Sequence, residues 1–119
     1  MPAAPSPDEH LPPPAEVLPT LLINAAKRRA YLSQGLVARL GLRPGQPIDL
    51  RPPAPGSSYW YLDLRPRCQR RVDWYADTRP RIQGLQLPSG LLSAGQTLTL
   101  QLQPGEPEFP NYYPLKPCA

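Results

Sequence analysis

Apolar and polar residues alternate strictly along "TLTLQLQ" (Thr97–Gln103), the pattern of a strand with one buried face. "YWYLDL" (Tyr59–Leu64) alternates in the same way. It puts Tyr59, Tyr61 and Asp63 on one side and Trp60, Leu62 and Leu64 on the other. Thr20–Asn24 reads as a strand and Ala30–Leu32 as its return, with Ala25–Arg29 at the turn. Leu36, Val37 and Leu40 then recur at helical spacing. Ser33 stands at the N-cap position and Gly41 at the stop, so Gln34–Leu40 is predicted as the one short helix. Pro44 and Gly45 set a turn, and "PIDL" (Pro47–Leu50) returns to alternation. Further on, "RVDWYA" (Arg71–Ala76) and "RIQGLQLP" (Arg81–Pro88) read as strands around the turn "DTRP". The internal Gly84 suggests a bend, and "SGLLSAGQ" a single helical turn or loop.

Two stretches of this pattern repeat. Leu32, Gly35 and Leu36 match Leu87, Gly90 and Leu91 at identical spacing, as Gly45, Gln46 and Leu50 match Gly95, Gln96 and Leu100. Ile48 matches Leu98 in kind. The second copy is shorter by five residues, which removes most of the helix. Each copy follows a strand, a polar turn bearing Arg and another strand. One such unit exposes an apolar sheet face; two packed about a pseudo-twofold axis close a small barrel and remove most free edges. The predicted class is mainly β: a small swapped-hairpin-like barrel with pseudo-twofold symmetry and one short helix.

Composition sets the limits of that barrel. Of 20 prolines in 119 residues, six fall in Met1–Pro14 and five in Pro104–Ala119. Met1–Glu16 therefore reads as a disordered or polyproline-like arm, either a solvated tail or a docking peptide for a proline-binding groove. The barrel domain spans 17–103, in halves of about 18–65 and 70–103. The tail 104–119 carries Phe109, Tyr112, Tyr113 and Leu115, too apolar for a linker. It is expected to wrap the barrel and cover an edge or an apolar patch; its other reading is a docking segment for a protein partner.

Charge is uneven. The arm carries Asp8, Glu9 and Glu16 and no cation, whereas 17–103 holds twelve Lys and Arg against four Asp. Such a basic middle fits a polyanionic partner or an Arg-biased soluble surface from a GC-rich genome. No metal cluster or cofactor motif is present: the single His10 lies in the arm, and Cys68 and Cys118 show no metal-ligand spacing. Both cysteines read as reduced thiols of a cytoplasmic protein, and Cys68 beside Arg67 and Arg70 as a thiol open to a lowered pKa. With no core His and no paired acids, the inventory points away from an enzyme. No apolar run approaches membrane-spanning length, and no signal peptide is evident.

"KRRAYLSQGLVARLGLRPGQPIDL" resembles the AbrB/MazE-like swapped-hairpin family, bacterial proteins whose core runs Gly-Arg, two hydrophobics and Leu-Pro, then Leu-Gly-Leu and Gly-Asp. Arg29 falls on the family's Arg. Ser33 stands where Pro is usual, Pro88 restores it in the second copy, and Gly45-Gln46 replaces Gly-Asp. The resemblance covers about Thr20 to Leu64 and, more faintly, Val72 to Leu102. It implies a DNA-binding transcription regulator or antitoxin-like protein that contacts duplex phosphates through Arg on its hairpin turns. Carried over by position, the contacts are Lys27, Arg28 and Arg29 on the first turn, Arg39 on the helix, and Arg79 and Arg81 flanking the second turn. The family builds its barrel from two chains; here one chain carries both halves, which implies a monomeric pseudo-dimer. The alternative is a non-catalytic protein–protein interaction module on the same barrel that no longer binds DNA. Arg65, Arg67, Arg70 and Arg71 form a separate basic cluster, a second phosphate contact or a soluble linker between the halves.

Overall fold

The computed structural model describes residues 18–75, 79–88, 90–92 and 95–118. The predicted arm Met1–Glu16 lies outside the described residues, as do Ala76 of the predicted strand and Asp77 of the turn. Seven strands and one helix follow in chain order: β1 (Thr20–Asn24), β2 (Arg29–Leu32), α1 (Gln34–Leu40), β3 (Asp49–Arg51), β4 (Trp60–Asp63), β5 (Arg81–Ile82), β6 (Thr97–Leu102) and β7 (Tyr112–Pro117). They form one antiparallel sheet in the order β3-β4-β7-β6-β1-β2-β5. Its two edges, β5 and β3, are brought together by the segment 71–73. Asp73 bridges to Arg81 and Arg71 bridges to Pro47. The sheet is thereby a nearly closed barrel, and its inner face is lined by Leu21, Ile23, Leu32, Leu36, Ile48, Leu62, Ile82, Leu100 and Leu115, all fully buried.

The strand pairing is that of two equivalent halves. The β1–β2 hairpin corresponds to the Asp73–Arg81 pair, and β3·β4 corresponds to β6·β7. The halves interleave: β1 of the first pairs with β6 of the second, while 71–73 of the second pairs with the stretch before β3 of the first. The correspondence extends to single hydrogen bonds. Ala25 N–H donates to the Gln96 carbonyl (3.1 Å), as Val72 N–H donates to the Gln46 carbonyl (2.9 Å). Gly45 and Gly95, which precede those two glutamines, both take positive φ, 77° and 80°. The remaining pairings, β2·β5 and β4·β7, join equivalent strands across the approximate axis.

The helix forms where its signals predict. Ser33 accepts from Leu36 N–H at the N-cap, and Gly41 ends the helix at φ 63°. The Ser33 hydroxyl also accepts from Thr20 N–H and donates to the Leu18 carbonyl, which ties the start of β1 to the helix. In the second copy Pro88 replaces this serine, and among the described residues a Leu91 N–H to Pro88 carbonyl bond (3.2 Å) stands where the helix would be.

Two predicted strands are shorter than expected. Arg71–Tyr75 makes isolated bridges rather than a ladder, and of Arg81–Pro88 only Arg81–Ile82 is a strand. Gly84 turns the chain at φ 70° directly after. The larger difference is the tail. Tyr112–Pro117 does more than wrap the barrel: it is inserted in the sheet as β7, pairs with the facing edges of β4 and β6, and buries Leu115 completely. A boundary at Gln103 thus falls between two neighbouring strands.

Candidate nucleic-acid interface

The first basic turn is built by Asn24. Its side-chain carbonyl accepts from Lys27 N–H (3.1 Å), and Arg28 N–H donates to the Ala25 carbonyl (3.3 Å). Arg28 sits at φ 54°, a left-handed conformation that costs a non-glycine residue about 1 kcal/mol. The turn is held in it from outside, because Leu85 N–H donates to the Arg28 carbonyl (2.9 Å). Lys27 and Arg28 are exposed at the tip and Arg29 is half-buried at its base.

Antiparallel pairing of β2 with β5 carries Arg79 and Arg81 to the end of β2 away from the first turn: Pro80 lies by Leu32, and Leu85 by Arg28. Tyr31 and Arg81 are cross-strand partners. Around Tyr31 the cations converge. The Arg79 guanidinium lies over its ring (5.5 Å), and a hydrogen bond from Arg29, with further help from Lys27 and Arg81, lowers the phenol's pKa. Arg81 is already engaged: its Nε donates to Asp73 Oδ2 (3.0 Å), and Gln83 donates to the same oxygen. The bond from Arg81 holds the Asp73 carboxyl below its ordinary range.

Lys27, Arg28 and Arg29 therefore lie at one end of the β2·β5 pair, and Arg79 and Arg81 at the other. Arg39 is not among them. β6 runs from Thr97, paired with Asn24 beside the first turn, to Leu102, which lines a cavity together with Arg39. The length of that strand, about 17 Å, separates Arg39 from the first turn. Glu106 and Glu108 line the same cavity. Tyr31, the centre of the cluster, carried no signal in the sequence beyond its place in a strand.

The second cluster, at the connector, is a folded ion-pair network rather than a soluble linker. Asp63 is fully buried and accepts from Arg65 at both oxygens (2.8 and 2.7 Å) and from Arg51 (3.1 Å). Burial alone would raise this carboxyl's pKa; Arg65, through its side chain and backbone, with Cys68 and Arg51, holds it well below the usual carboxylate range. Arg70 bonds Asp49 with one nitrogen (3.1 Å) and the Gly84 carbonyl with the other two (3.0 and 2.7 Å). It thereby fastens the second half of the chain to the first. Cys68 is buried under this network, and burial followed by Asp63 pushes its pKa up, opposite to the direction its Arg neighbours suggested. Arg71 is exposed and is bridged to Pro47, on the β3 side of the seam.

Among the described residues no group of three His, Cys, Asp or Glu side chains is placed to hold a metal ion, and no helix is long and apolar enough to cross a membrane. No family model, curated protein or solved structure matches the chain.

Proposed function

We propose that this protein acts by binding duplex DNA, in the manner of a transcription regulator or antitoxin-like protein, through the basic turns at the two ends of its β2·β5 pair. The observation that carries this reading is the Tyr31–Arg81 cross-strand pair. It joins the strand that starts at Arg29, after Lys27 and Arg28, to the strand that starts at Arg81, after Arg79, so one surface gathers charge from both halves of the chain. The stretches 24–32 and 71–82 together hold six cations against Asp73 and Asp77. Arg side chains on rigid turns suit phosphate oxygens, and two turns beside an approximate twofold axis match the symmetry of a duplex. One chain supplies both halves, so the binding unit is the monomer.

The test is fluorescence anisotropy with a labelled random duplex at low and rising salt. Binding is expected with log affinity falling linearly in log salt, at a slope of about −4 for four or five phosphate contacts. Replacing Lys27, Arg28, Arg29 and Arg79 by Ala is expected to abolish the signal while the circular dichroism spectrum is kept. Unchanged affinity would remove these turns from the interface.

A second reading, a non-catalytic protein-interaction module in a cytoplasmic complex, is favoured by the engagement of Arg81 with Asp73 and by the distance of Arg39 from the first turn. It predicts no duplex shift even at low salt.

A further inference from the structure

On the barrel's outer surface, β4 and β7 carry a strip that the DNA-binding reading does not use. Their register sets Tyr61 opposite Pro114 and Asp63 opposite Tyr112. The Tyr61 and Tyr112 rings stack at 4.6 Å and 17°, and the Arg65 guanidinium lies over Tyr112 at 4.9 Å. Beyond them Lys116 lies over the ring of Tyr59, which is 37% exposed. Arg51, on the neighbouring β3, is part of the same outer surface through its bond to Asp63. The result is a run of tyrosines and one proline, edged by Arg51, Arg65 and Lys116. Parallel aromatic rings flanked by cations form the kind of surface on which a polyproline helix bearing acidic residues docks.

The chain carries such a segment. "MPAAPSPDEHLPPPAEV" holds six prolines and Asp8, Glu9 and Glu16, with no Lys or Arg. Its attachment point is level with the strip. Ser33 Oγ donates to the Leu18 carbonyl (2.5 Å), and Leu102 N–H donates to the Pro19 carbonyl (2.9 Å). In the next row Gln103 N–H donates to the Pro114 carbonyl (3.0 Å), and Pro114 faces Tyr61. Leu18 is thus level with Tyr61, three strand spacings away, about 14 Å. Sixteen residues of polyproline helix span about 50 Å, ample for that path. The nearer cavity, beside Arg39, is lined by Glu106 and Glu108 and opposes an acidic segment.

We propose that residues 1–17 of this chain dock on the Tyr59–Tyr61–Tyr112–Pro114 strip of the same molecule, prolines against the rings and acids toward Arg51, Arg65 and Lys116. The strip is then an intramolecular proline-recognition surface, and an acidic, proline-rich segment is the ligand it selects.

The experiment uses the full chain and a glutamyl-specific protease, with cuts at Glu9 and Glu16 followed by mass spectrometry. Proteolysis of a docked segment tracks the fraction undocked. Cleavage at both sites is expected to run about tenfold faster in Tyr59→Ala/Tyr61→Ala and in Lys116→Glu than in the parent, and the parent's rate is expected not to depend on protein concentration. Equal rates in the parent and both variants overturn the proposal. So does protection that grows with protein concentration, which would put the arm on a second copy. A readout free of substitutions is the parent's NMR spectrum. Contacts between the Tyr61 ring and ring protons of prolines within residues 1–17, assigned apart from those of Pro114, are expected, and their absence at low salt overturns the proposal equally.

Discussion

Trp60 and Leu115 are cross-strand partners at the middle of the barrel, where β4 of the first half meets β7 of the second. Both are buried, and they lie in equivalent strands of the two copies. The last strand is thus the piece that joins the halves on this side, as β2·β5 joins them on the other. A chain ending at Gln103 would leave β4 and β6 unpaired along their facing edges and uncover Trp60. We expect that truncation to abolish cooperative thermal unfolding. The milder change Leu115→Ala is expected to cost about 2–5 kcal/mol by removing a fully buried side chain. Denaturant titration of the variant measures it, and a loss under 1 kcal/mol would show that β7 only decorates the barrel.

Asp63 gives the fold an acid-side limit. Its folded pKa is depressed, so its contribution is present above the ordinary unfolded value, about 4, and is lost as pH falls from there toward the folded value. Stability of the parent chain is expected to be flat from neutrality to about pH 5 and then to fall. Asp63→Asn leaves the Arg51 and Arg65 guanidiniums facing an amide instead of a carboxylate. It is expected to cost about 3 kcal/mol at neutral pH and to flatten the acid limb. Urea midpoints between about pH 2 and 7 check both; an acid limb unchanged in the variant would assign it to other carboxyls.

Ser33 ties three structures with one hydroxyl: the helix N-terminus through Leu36, the start of β1 through Thr20, and the Leu18 carbonyl. Ser33→Ala removes all three bonds and leaves the buried Thr20 N–H without that acceptor. A cap alone is worth about 1 kcal/mol and an unmet buried donor about as much again. The expected loss is about 2 kcal/mol. Ser33→Thr, which keeps the hydroxyl, should recover most of it. Thermal melts of both variants compare them, and an Ala variant as stable as the parent would deny the cap its role.

The elements that could be read in the chain are those whose cues are local. β1, α1 and β6 depend on alternation or 3.6-residue spacing, on Ser33 and on Gly41, and they stand where those cues put them. The repeat was legible for the same reason: Gly45-Gln46 and Gly95-Gln96 recur because each must turn the chain and then accept a hydrogen bond from the other half. β7 was obscured by Pro114 and Pro117. A proline gives no donor to a ladder, yet the Pro114 carbonyl still accepts from Gln103 and its ring takes the outer face. The short β5 was overread because the apolar residues beyond it, Leu85 and Leu87, are buried or half-buried without a ladder. At the candidate site, position on a turn is what makes Lys27, Arg28, Arg29 and Arg79 candidates. Only the fold showed that Arg81 is held by Asp73, and that Arg39 lies at the far end of β6.

That hold on Arg81 yields a prediction that separates charge from scaffold. Asp73 keeps its negative charge throughout the neutral range, because Arg81 lowers its pKa. The carboxylate cancels part of the field that the turns present to a phosphate. Asp73→Asn removes the charge and retains an oxygen that accepts from Arg81 or Gln83, so the bridge between 73 and 81 is kept. Under the DNA-binding reading, duplex affinity at low salt is expected to rise about threefold to tenfold, with the salt slope steeper by up to one. Arg81→Ala is expected to weaken binding by a similar factor, and the double variant to fall close to the parent. Anisotropy titrations on the four proteins complete the cycle. If Asp73→Asn weakens binding as much as Arg81→Ala does, the pair serves only to brace the turn, and the phosphate contacts lie with Lys27, Arg28, Arg29 and Arg79 alone.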